Sequence, residues 1–112
     1  MSTYAHVELH FEGTKHILSW TSDGQRLCEA VLEAIKPFVN KNGTIDLVGL
    51  KAYLFDATEG DFPEFYTDIP WFTSYCSVID LDRKVIRYAG PVKPSLIKFY
   101  KRRGFVTSKV RS

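Results

Sequence analysis

The chain has 112 residues, 45% hydrophobic and 14% aromatic, which excludes a disordered polymer and fits one domain with its own core. No run approaches the roughly 18 apolar residues of a membrane span, and the first residues lack the basic and apolar regions of a signal peptide, so a cytoplasmic protein without membrane contact is expected. The net charge of +2 conceals a division: residues 1–82 hold 13 acids and 5 bases, whereas residues 83–112 hold 10 bases and no acid.

Residues 4–11 alternate, with Ala5, Val7, Leu9 and Phe11 on one side and Tyr4, His6, Glu8 and His10 on the other, the pattern of a half-buried strand. Glu12 and Gly13 offer a turn into residues 15–20, so the two segments read as a β-hairpin. Ser22 followed by Gln25 makes a capping box, and a helix is expected to start there. Its apolar side carries Leu27, Val31, Ile35 and Phe38, and Pro37 ends or kinks it. Residues 40–46 form a turn rich in Asn and Gly, and residues 44–55 read as a second helix, although Ile45, Leu47, Tyr53 and Phe55 also fit a strand.

Residues 56–72 combine five acids, two prolines and many aromatics, and read as a long packed loop. A second hairpin joins residues 75–79 to residues 84–88. Pro94 and Gly104 bracket a last helix with Leu96, Ile97 and Tyr100 as its apolar stripe and Lys98, Lys101 and Arg102 outside it. The fold class expected is α+β: two β-hairpins forming an antiparallel sheet with two or three helices packed on one face, in the order β-β-α-(α)-β-β-α. Residues 1–105 are read as a single domain and residues 106–112 as a flexible basic tail.

Few motifs carry chemistry. His6, Glu8 and His10 share a strand face, with His16 across the hairpin, a weak candidate set for a transition metal against the commoner solvated polar face. The zinc-deaminase pattern fails for want of a Pro-Cys-x-x-Cys, since the only cysteines are Cys28 and Cys76. Residues 40–46 resemble the middle of an EF-hand calcium loop, but Phe38 and Gly49 stand where its strongest oxygen donors belong. Residues 99–105 (Phe-Tyr-Lys-Arg-Arg-Gly-Phe) resemble the helix-plus-glycine segment of N-acetyltransferases and vicinal-oxygen-chelate proteins, over seven residues. Coenzyme A binding would also require an upstream glycine-rich turn, which this chain lacks, and ordinary helix capping accounts for the same letters.

No metal, cofactor or catalytic residue is therefore assigned, and the expectation leans away from an enzyme. Two interaction surfaces remain. The acidic aromatic loop offers Asp61, Phe62, Glu64, Phe65, Tyr66, Asp68 and Trp71 to a protein partner. The basic segment from Arg83 onward offers Lys98, Lys101, Arg102 and Arg103 to phosphates, with Tyr100 and Phe105 to stack on bases. A non-enzymatic protein-binding module is the first expectation, using that loop, the basic helix or both. A nucleic-acid-binding domain is the alternative, and a small metal-dependent enzyme the third.

Overall fold

A computed structural model describes residues 5–20, 24–56, 64–66 and 75–110. The opening alternation becomes β1 (Ala5–Phe11) and β2 (Thr14–Trp20), antiparallel, with Phe11 opposite Thr14. Glu12 and Gly13 both take positive φ, 52° and 72°, as the two centres of a type I′ hairpin turn require.

A 3₁₀ turn (Gly24–Arg26) leads into α1 (Leu27–Ile35). The helix expected from Ser22 thus starts at Leu27. Ser22 lies outside the described residues, and Arg26 holds the N-cap position with no side-chain cap. Pro37 supplies no N–H, so α1 stops at Ile35 and tightens into a second 3₁₀ turn (Lys36–Phe38). In the following turn Asn42 Oδ1 accepts the Thr44 N–H and hydroxyl, and Asp46 Oδ1 accepts the Gly49 N–H, which caps α2 (Leu47–Asp56). The Asn42 and Asp46 oxygens that contribute to the calcium-loop likeness are engaged in shaping their own turn.

Then follow β3 (Glu64–Tyr66), β4 (Tyr75–Asp80), β5 (Val85–Tyr88), α3 (Pro94–Arg102) and β6 (Val106–Lys109). One six-stranded sheet runs in the order β3-β2-β1-β4-β5-β6. The class is α+β, but the sheet is mixed: β1 pairs parallel with β4, and β5 pairs parallel with β6. Both parallel pairs follow from connections that contain helices and are long enough to return the chain to the opposite end of the sheet. Part of the expected loop is strand, since Glu64–Tyr66 pairs with β2. Part of the expected tail is strand as well, because α3 returns residues 106–109 alongside β5.

Ala5, Val7, Leu9 and Phe11 of β1, Leu18 of β2, Ile79 of β4 and Ile86 of β5 share one sheet face and one core cluster. Leu27, Val31, Leu32 and Ile35 of α1, Leu50 and Leu54 of α2, and Leu96 and Tyr100 of α3 close that core, so the helices cover a single face. At the far end Asp82, between β4 and β5, ties the two hairpins together. Its carboxylate oxygens accept the N–H groups of Glu12 and Gly13, each at 2.9 Å. No helix among the described residues is long and apolar enough to cross a membrane.

Candidate functional site

The proposed metal set does not converge. His16 lies opposite Leu9 in the hairpin register, so it shares the core-side face of the sheet and stacks on Phe11 with centroids 4.6 Å apart. His6, Glu8 and His10 lie on the other face, where Glu8 pairs with Lys15 at 3.2 Å. Among the described residues no three His, Cys, Asp or Glu side chains are grouped to hold a metal ion. The period of two that aligned His6, Glu8 and His10 assigns His16, one residue beyond Lys15, to the opposite face.

A cavity of about 290 Å³ lies between the two hairpin turns, lined by His10, Gly13, Asp80, Asp82 and Arg83. Its carboxylates are committed: Asp80 Oδ1 accepts the Arg83 N–H at 3.0 Å, and Asp82 accepts from Glu12 and Gly13. Among the described residues His10 Nε2 is buried without a hydrogen-bond partner, a local cost to the fold. Cys28 is buried at the core side of α1, and desolvation pushes its thiol up to about 11, against the reactivity a nucleophile needs.

Burial also holds His6 and His16 below their usual 6.5; Glu8 partly opposes the shift at His6, and His10 adds to it at His16. Below that pH the unfolded chain binds protons that the folded chain does not, so stability declines as pH falls through 6.5. Denaturant midpoints at about pH 8 and about pH 5.5 should differ in that direction, and the double variant His6→Gln, His16→Gln should show a smaller difference. An equal difference in the variant would remove these histidines from the pH response.

The basic segment is built differently. Lys98, Lys101 and Arg102 stand at i, i+3 and i+4 on α3, so they project from one exposed helix face. Among the described residues none of the three has an ion-pair partner. Among the described residues, Lys93 brings this segment to the acidic part of the chain, its N–H donating to Glu29 and its ammonium lying 3.8 Å from Glu33. Lys98, Lys101 and Arg102 themselves are exposed.

The aromatics assigned to stacking are elsewhere. Tyr100 is fully buried, its hydroxyl donating to the Leu32 carbonyl at 2.5 Å, and Phe105 is buried with its ring edge-on to Tyr100 at 5.2 Å. Neither ring is available to a nucleobase, because both close the core beneath α3. Arg103 is half-buried: its guanidinium lies 3.6 Å from the Phe99 ring centroid and donates to the Phe99 carbonyl. Lys36 approaches the same ring at 5.0 Å. Lys36 thus joins the basic surface from the end of α1, a long-range contact with no signal in the local sequence.

Of the acidic-loop residues, Asp61, Phe62, Asp68 and Trp71 lie outside the described residues, while Glu64, Phe65 and Tyr66 form β3. No protein-family model, curated protein or solved structure matches the chain.

Proposed function

We propose that the chain is a non-enzymatic binding module that engages an acidic protein surface through the exposed face of α3. One observation carries this reading: Lys98, Lys101 and Arg102 occupy one solvent-facing helix face with no carboxylate partner among the described residues. Cations held there on a rigid helix steer an acidic partner and set its register. Lys101 and Arg102, in the last turn, also complement the helix dipole, so they stabilise α3 while remaining open to a partner. Commitment of Tyr100 and Phe105 to the core favours an acidic protein over single-stranded nucleic acid, whose bases need open aromatic faces.

The test compares a labelled glutamate-rich peptide with labelled single-stranded and duplex DNA of equal charge, by fluorescence anisotropy at two salt concentrations. The peptide should bind more tightly than either DNA. The variant Lys98→Glu, Lys101→Glu, Arg102→Glu should lose at least about tenfold in affinity for it while remaining folded, with a stability loss of about 1–2 kcal/mol from reversing the two last-turn charges that complement the helix dipole. Tighter binding to duplex or single-stranded DNA, weakened by the same variant, would replace the acidic-protein reading with the nucleic-acid one.

A further inference from the structure

The β6 edge of the sheet, unpaired among the described residues, lies beside this basic face. β6 is the last strand in the sheet order, and its parallel ladder with β5 fixes which backbone groups are used. The N–H of Val106 donates to the Lys84 carbonyl and that of Val110 to the Tyr88 carbonyl. In a parallel ladder the alternate residues carry the bonds, so Val106, Ser108 and Val110 face β5 while Thr107 and Lys109 turn their N–H and C=O groups outward. Among the described residues nothing pairs with those outward groups. The strand has no proline and no bulge in its register, and Val106 is 66% exposed.

We infer that β6 accepts an acidic, extended segment of a partner protein as a seventh strand. The inference rests on the basic-face reading and adds the mode of recognition: main-chain bonds to Thr107 and Lys109 provide affinity, and charge selects the segment. Lys109 is exposed and in register with Tyr88, whose ring packs against the core, which places it on the side of the sheet that carries α3. A strand laid along β6 therefore runs past Lys109 and beside α3 with its exposed Lys98, Lys101 and Arg102. A second copy of this chain is a poor occupant, since pairing β6 with itself would bring two such basic groups together.

The geometry supplies its own test. Thr107→Pro removes an N–H that bonds to nothing within the described protein, a substitution that edge strands tolerate on their solvent side. The probes are a labelled peptide of alternating glutamate and valine and an analogue of equal charge interrupted by prolines, which cannot form a strand. The strand-competent peptide should bind the native protein at least about tenfold more tightly than its analogue, and Thr107→Pro should abolish that difference. In the complex with native protein, hydrogen exchange at the Thr107 and Lys109 amides should slow.

Equal binding of the two peptides, with no slowing at those amides, would overturn strand addition while leaving attraction to the basic face intact. The two native-protein measurements decide the matter even if the proline variant unfolds. If neither peptide binds and the charge-reversed α3 variant behaves like the native protein, the basic-face reading fails first and this inference fails with it.

Discussion

Tyr100→Ala is expected to cost about 3–5 kcal/mol, a large share of the stability of a domain this size. Tyr100 is fully buried where α3 meets α1, between the edges of Phe99 and Phe105 at 5.1 and 5.2 Å. Removing the ring leaves a cavity at the centre of that junction and strands the contacts of both neighbours. Tyr100→Phe separates packing from hydrogen bonding. The Leu32 carbonyl that accepts the hydroxyl also accepts the Lys36 N–H, so it keeps one donor when the hydroxyl is lost. A loss of only about 0.5–1.5 kcal/mol is expected there. Urea unfolding of both variants measures the two quantities, and similar losses for Phe and Ala would show that the hydroxyl, not the ring, holds the junction.

Gly90→Ala should be comparably damaging for a different reason. Gly90 follows β5 with φ at +84°, and a Cβ there would sit 2.2 Å from the Gln25 carbonyl oxygen, which belongs to backbone and cannot swing aside. Left-handed backbone costs an L-residue about 1–2 kcal/mol, and forced displacement of packed groups adds about 1–3 kcal/mol. Gly104, after α3, is the control. Its φ is +90°, but a Cβ would meet nothing within 4 Å, so Gly104→Ala should incur the backbone term alone. Thermal unfolding of the pair tests this: equal losses would mean that the close approach to Gln25 relaxes without cost.

These two glycines also mark how legible the fold was. Gly104 after the Pro94 helix, the alternation of β1 and the turn at Glu12 and Gly13 are local patterns, and each became the element its spacing predicts. The parallel pairing of β1 with β4 is non-local: the two strands are joined through helices, and their register is set by the shared core rather than by any turn. β6 was missed because a short edge strand with polar side chains reads like a frayed end, although Val106, Thr107 and Val110 are residues that favour strands.

The candidate site shows the same division. Lys98, Lys101 and Arg102 were identifiable from helical spacing and proved exposed. Tyr100 belonged to the apolar stripe with Leu96, and that spacing, given its full weight, argues for the core rather than for base stacking. Phe105 follows the glycine that ends α3, where a large apolar side chain commonly packs back on the helix it has left. The contact of Lys36 and Arg103 with Phe99 joins the end of α1 to the end of α3, which no local window contains.

Amide chemical-shift mapping with the glutamate-rich peptide tests the central claim most directly. Perturbations concentrated at Lys98, Lys101 and Arg102 of α3, saturating with peptide and reversed by salt, are the predicted result. Perturbations confined to the sheet face that carries Glu8 and His10, with α3 unmoved, would contradict it and place recognition on the opposite side of the molecule.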